Sequence, residues 1–127
     1  MRVLVCGGRT YGWFAGPRKV VNVPEYESVY GELDKYLIHE KLHIISGGAP
    51  GADSWAEEWA RERQIPFTVY PAPWTKYGKS AGYIRNKQML DEGKPDLVIA
   101  FPGGKGTAMM VDIARKAGVE VLTVPYP

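Results

Sequence analysis

The chain has 127 residues, with sixteen Lys and Arg against fourteen Asp and Glu, for a formal charge of +2. That length suits one domain around one hydrophobic core, and the charge is far below what a duplex-DNA binder uses to displace counterions from phosphates. Hydrophobic residues at 45% and charged ones at 24% describe a folding chain, not a disordered one, so any anion site must be local.

The one cysteine, Cys6, has no internal partner, and no Cys/His cluster stands at zinc spacing, so neither a disulfide nor a metal is expected and a reducing cytoplasm fits best. The opening apolar run, Val3 to Cys6, is too short for a signal-peptide core or a membrane span. No membrane association is expected.

In chain order, Val3 to Cys6 reads as a first strand, and a long loop from Gly7 to Asn22 follows. Glu25 to Glu40 has helical spacing through Val29, Leu33, Tyr36 and Leu37. His43 to Ile45 reads as a strand, Ala52 to Gln64 as a helix with Trp55, Ala56, Trp59 and Ala60 inward, and Phe67 to Tyr70 as a third strand. After a Pro-rich loop, Pro71 to Gly78, the helix Gly82 to Asp91 turns Tyr83, Ile84 and Leu90 inward. Leu97 to Phe101 is a fourth strand, Thr107 to Ala117 a helix whose first turn Thr107 caps, and Val119 to Val124 a fifth strand. The strands are rich in Val and Ile and lack polar alternation, as in parallel strands covered on both faces. Strand and helix alternate throughout, which predicts an α/β fold with a mostly parallel sheet of five strands and a ligand crevice at their carboxyl ends.

Three strand ends carry a Gly-Gly pair: Gly7-Gly8-Arg9, Ser46-Gly47-Gly48-Ala49-Pro50-Gly51-Ala52-Asp53, and Pro102-Gly103-Gly104-Lys105-Gly106-Thr107. Glycine lets backbone N–H groups approach a ligand, and a following helix start adds a positive dipole end, so a phosphate is the expected guest. The loop is not a Walker motif, because Ile99 stands at its first Gly position and Gly106 at its Ser/Thr position. Nor is it the dinucleotide fingerprint, whose third small residue falls on Met109.

Together with Ala81-Gly82-Tyr83-Ile84-Arg85-Asn86-Lys87 through Met89, these loops resemble the SLOG superfamily, and more narrowly its small YspA-type, cpYpsA-related branch in bacteria and their phages. The likeness runs from Arg2 to Val124 in the same order. It implies a Rossmann-like three-layer αβα domain that binds nucleotides or nucleotide-derived ligands, of mononucleotide, NAD or ADP-ribose type, with no cofactor required. The superfamily includes cytokinin-activating phosphoribohydrolases, the DNA-processing protein of natural transformation, and sensor domains for NAD-derived signals.

In the phosphoribohydrolases the matching pieces are an Arg followed by Lys and a Pro-Gly-Gly-x-Gly-Thr loop followed by a catalytic Glu. Arg85 falls at the Arg position, with Asn86 before Lys87, but the Glu position falls on Met109, beside Met110. A thioether neither stabilises the cation-like sugar of N-glycosidic cleavage nor directs water. Binding or sensing is therefore the expected function. Phosphoribohydrolase activity using Arg85 and Asp53 as catalytic residues is the first alternative, and single-stranded DNA binding the second.

The expected ligand-binding set is Gly7, Gly8, Arg9, Ser46, Gly47, Gly48, Gly51, Asp53, Arg85, Asn86, Pro102, Gly103, Gly104, Lys105, Gly106 and Thr107. Arg9 and Arg85 are the expected phosphate partners, since a guanidinium matches phosphate oxygens in pairs. Asp53 is placed to accept a ribose hydroxyl. Asp112, one turn beyond Met109, reads as a solvated helix residue, and Tyr83 as packing. Tyr11, Trp13, Phe14, Trp74 and Tyr77 lie in the longest loops as a stacking wall, a lid or a subunit interface. A homodimer or larger homo-oligomer is the expected assembly.

Overall fold

A computed structural model describes residues 1–127. In chain order it contains β1 (Arg2–Cys6), β2 (Trp13–Phe14), β3 (Val20–Val21), α1 (Val23–Asp34), β4 (His43–Ser46), α2 (Ala52–Glu62) and β5 (Phe67–Val69). There follow α3 (Trp74–Tyr77), a 3₁₀ turn (Gly78–Ser80), α4 (Ala81–Gly93), β6 (Leu97–Ala100), α5 (Lys105–Lys116) and β7 (Glu120–Thr123). The five longer strands form one parallel sheet in the order β5-β4-β1-β6-β7.

The unbroken apolar runs have the physical cause that the sequence suggests. Alternate β1 residues face opposite layers: Val3 and Val5 join Ile44, Leu97 and Ile99 under α1 and α2, with Val29, Leu33, Ala56 and Trp59. Leu4 and Cys6 join Ile45, Val98 and Ala100 under α4 and α5, with Met89, Leu90, Met110 and Ala114. A strand buried on both faces accepts a polar residue only where it is hydrogen-bonded, as Ser46 of β4 is to Glu57. The result is the Rossmann-like three-layer αβα arrangement.

Several boundaries differ from expectation. α1 stops at Asp34, not Glu40, and the chain continues in turns with bonds such as Tyr36 N–H to the Leu33 carbonyl, 3.0 Å. Leu37 and Ile38 are 41% and 84% exposed, so no packing sustains another helical turn. Tyr83 is half exposed, so it does not pack inward. α5 starts at Lys105 with Gly104 as its N-cap, which puts Thr107 inside the first turn instead of capping it. The loop from Gly7 to Asn22 holds the antiparallel hairpin β2–β3, pairing Trp13 with Val21 and Phe14 with Val20.

That hairpin is fastened to the start of α1. Asn22 N–H donates to the Gly12 carbonyl at 2.9 Å, Gly12 N–H donates to Glu25 Oε1 at 2.9 Å, and Asn22 Oδ1 caps Glu25 N–H at 3.2 Å. Trp13 then stacks on Trp55 of α2 with ring centroids 5.1 Å apart.

Gly51, with φ of +81°, is pressed against the backbone of Gly8 and Arg9. A Cβ there would run into the Gly8 carbonyl. Gly51→Ala should therefore lose about 2–4 kcal/mol, seen as a drop of about 10 °C in thermal midpoint. Gly31, inside α1 with open space around it, is the opposite case: Gly31→Ala should gain about 0.5–1 kcal/mol.

Candidate functional site

β1 is followed by a helix on one face of the sheet and β6, its neighbour, by a helix on the other. Loops leaving adjacent parallel strands in opposite directions part, and the gap is the usual ligand site of an open α/β sheet. Here the gap is a cleft of about 330 Å³. Gly7, Gly8 and Arg9 line it from the end of β1, and Gly104, Lys105, Gly106 and Thr107 from the end of β6. α4 contributes Gly82, Arg85, Asn86 and Met89, spaced three and four residues apart, and Trp74 closes one side. Ala49 enters from the loop after β4 and Asp53 from the first turn of α2, with Cys6, Met109 and Met110 completing the lining.

Ten of the sixteen expected binding residues thus meet in one place. Ser46, Gly47, Gly48, Gly51, Pro102 and Gly103 are not among the residues lining this cleft, and each has a physical reason. Ser46 is fully buried, donating to Glu57 Oε2 at 2.7 Å and accepting Gly48 N–H at 3.1 Å. Gly48 faces Val69, and Gly51 is pressed on Gly8. A Cβ at Gly103 would collide with Thr107 Oγ1 and lie 2.7 Å from Gly8 N, while the Pro102 carbonyl accepts Gly8 N–H at 2.8 Å. These glycines serve contacts between loops. Only Gly104 and Gly106 in the α5 loop have open space where a side chain would be.

Arg85 and Asn86 reach the cleft but are largely engaged within the protein. Arg85 Nη1 donates to the Gly47 carbonyl at 2.5 Å and Nε to Asn86 Oδ1 at 3.0 Å, while Asn86 Nδ2 donates to the Gly106 carbonyl at 3.4 Å. The pair therefore clamps α4 to the loops after β4 and β6. A Cβ on Gly47 would collide with the Arg85 guanidinium and lie 3.0 Å from Asp53 Oδ2, so glycine there makes room for the clamp. Burial lowers the Arg85 pKa, opposed by the nearby Asp53 charge.

Asp53, in the first turn of α2, is 5% exposed and accepts Ala49 N–H through Oδ2 at 3.2 Å. Desolvation pushes its carboxyl up to about 7, against the opposing pull of the Ala49 bond and the Arg85 charge. It is the one carboxylate lining the cleft.

Two side-chain cations remain less committed. Arg9 is exposed, with its guanidinium carbon 5.9 Å from the centroid of the half-exposed Trp74 ring. Lys105 opens α5, beside the N–H groups of its first turn, which have no acceptor within the helix. No side chain caps them. Met109 lines the cleft where the hydrolase pattern has Glu, while Asp112 points to solvent and pairs with Lys116 at 3.0 Å. No cluster of three or more His, Cys, Asp or Glu side chains is placed to hold a metal ion.

The loop aromatics separate. Tyr11 is buried against Phe101, with centroids 5.6 Å apart, and Trp13 packs on Trp55. Of the five, only Trp74 lines this cleft. Gly82 and Met89 were missed as site residues, although their spacing from Arg85 and Asn86 places all four on one face of α4.

A sequence model of the YspA, cpYpsA-related SLOG family matches residues 1–77. The Gene 61 protein of Mycobacterium phage D29 is 42% identical over 88 residues, covering 64% of this chain and 70% of its own length. The crystal structure of the structural-genomics target TM1055 superposes with a TM-score of 0.68 at 21% identity, over 94% of this chain and 71% of that one. That likeness shows the fold. The chain belongs to the YspA, cpYpsA-related SLOG family. No helix in it is long and apolar enough to cross a membrane.

The buried Asp53 carboxyl makes a prediction about pH. An unfolded Asp loses its proton near 3.8, whereas Asp53 in the folded chain keeps it to about 7. Between those values the native state holds the extra proton, so this group's contribution to stability falls as pH rises, and is level above about 7. His43, held below its usual pKa by burial, works in the opposite direction but is common to both chains compared. Asp53→Asn should therefore gain stability relative to the parent from pH 4 to pH 8, by up to about 4 kcal/mol. Parallel thermal-midpoint profiles would contradict it.

Proposed function

We propose that this member of the YspA, cpYpsA-related SLOG family binds a nucleotide or nucleotide-derived ligand in the cleft and does not cleave it. The observation that carries the reading is the mouth of the cleft. Arg9, Lys105 and the uncapped first turn of α5 converge there, with Gly104 and Gly106 leaving that backbone open. A helix start with unpaired N–H groups and neighbouring cations is a phosphate site. The exposed face of Trp74 and the thioethers of Met89 and Met109 offer a base an apolar surface.

Against hydrolysis, the α5 position that carries the catalytic Glu in the phosphoribohydrolase pattern is Met109. Asp53 is nearly buried and holds Ala49 N–H. It acts as a positioning residue for the β4 loop, and Arg85 as a positioning residue for α4.

Calorimetric titration with AMP, GMP and UMP, each mixture then assayed for free base, tests this reading. At least one nucleotide should bind without base release, and Arg9→Ala should weaken it tenfold or more, about 1.4 kcal/mol. Base release by the parent chain would overturn the non-hydrolytic reading, and binding of single-stranded DNA in place of every mononucleotide would overturn the ligand class. Introducing the missing acid by Met109→Glu tests the role of that position: release gained would make Met109 the block on hydrolysis.

A further inference from the structure

One wall of the cleft is scarcely attached to the rest of the molecule. Tyr70 N–H donates to the Ser46 carbonyl at 2.8 Å, and Ala81 is fully buried at the start of α4. Between these anchors, from Pro71 to Ser80, no residue is buried. The backbone bonds of α3 close on the segment itself. Trp74 N–H donates to the Ala72 carbonyl at 2.9 Å, and Lys76 and Tyr77 N–H donate to the Pro73 carbonyl at 3.1 and 3.0 Å. Gly78 N–H donates to the Trp74 carbonyl. No side chain from Pro71 to Ser80 makes a hydrogen bond or an ion pair. A unit with few buried contacts and mostly its own hydrogen bonds opens at little cost in free energy.

Trp74 is the hold that remains. A Cβ on Gly82 would lie 3.7 Å from its Cη2, so the indole tip rests on the α4 backbone, and Arg9 stands over its ring. A cation over a half-exposed indole is a weak contact, weaker than a base stacked on the same face. The segment also has space on both sides. Inward, Trp74 borders the cleft; outward, Pro73 and Tyr77 border a hollow of about 560 Å³ over α4, with Tyr83 and Lys87. Gly78, with φ of +57° and nothing near a Cβ, gives the segment's far end a turn that glycine adopts freely.

We infer that Pro71–Ser80 is a lid that a bound nucleotide closes, with Trp74 as its only grip. This rests on the nucleotide reading above and adds how the ligand is retained. In the free chain Arg9 occupies the Trp74 face. The ligand phosphate draws the guanidinium to itself, and the base takes the face that Arg9 leaves. Only the closed segment stacks on the base, so the nucleotide binds that state more tightly and shifts the segment toward it.

Amide exchange at Lys76, Tyr77 and Gly78 in the intact chain, read by NMR against the β1 and β6 amides, tests this. In the free chain Trp74→Ala and Arg9→Ala should each speed exchange about twofold or more. Saturation with whichever of AMP, GMP or UMP binds should slow it about fivefold or more in the parent. Trp74→Ala, which keeps Arg9 and the α5 start for the phosphate, should show no such slowing at saturation. Exchange in the free chain that neither substitution changes would overturn the grip assigned to Trp74. A nucleotide that binds without slowing these amides would overturn the lid and leave nucleotide binding intact. Failure of all three nucleotides to bind would overturn the nucleotide reading and the lid with it.

Discussion

Gly8 is the point on which the ligand-facing end of the molecule depends. Its N–H donates to the Pro102 carbonyl at 2.8 Å, and its carbonyl accepts both Tyr11 N–H and Ala52 N–H at 3.2 Å. One residue thereby ties the end of β1 to the loop after β6, to the start of α2 and to the turn that leads into the hairpin. Such contacts need backbone against backbone. A Cβ on Gly8 would lie 3.0 Å from the Pro102 carbonyl oxygen, and one on Gly7 2.6 Å from Ala52 Cβ. Three glycine-rich loops meet there because three polypeptide segments pass closer together than side chains permit.

This constraint decides where ligand donors are left. The segment after β1 is tied to the start of α2 and to the loop after β6 through the Gly8 carbonyl and N–H, and Arg85 and Asn86 lock α4 to the same cluster. The start of α5 is held in position by those contacts yet keeps its first-turn N–H groups uncapped, with Arg9 and Lys105 beside them. A rigid frame carrying a small set of uncommitted donors is the arrangement expected of a pre-organised anion site.

The sheet was legible because each central strand is buried on both sides and leaves an apolar run in the sequence. The hairpin was not, because strands of two residues have no periodicity to read. The end of α1 was misplaced for a related reason: Tyr36 still packs on the core, so the helical spacing continues, but Leu37 and Ile38 beyond it are exposed and nothing covers a further helical turn. That Arg9 and the α5 loop line one cleft was legible from glycine and charge together. The roles of Gly51, Gly103 and Ser46 were not. A glycine records that something comes close, but sequence does not say whether it is a ligand or another loop. A serine beside a Gly pair looks available, although its hydroxyl is satisfied by Glu57, eleven residues on.

The proposed function requires a nucleotide phosphate at the start of α5 against Arg9. Amide chemical shifts followed during titration with AMP, GMP or UMP read that placement directly. The largest movements should fall on Lys105, Gly106 and Thr107, with the Arg9 Nε–H and Trp74 indole signals moving in step and the β5 and β7 edges unchanged. Saturable shifts confined to the outer face of α4 around Tyr83 and Lys87, with the α5 amides still, would contradict it.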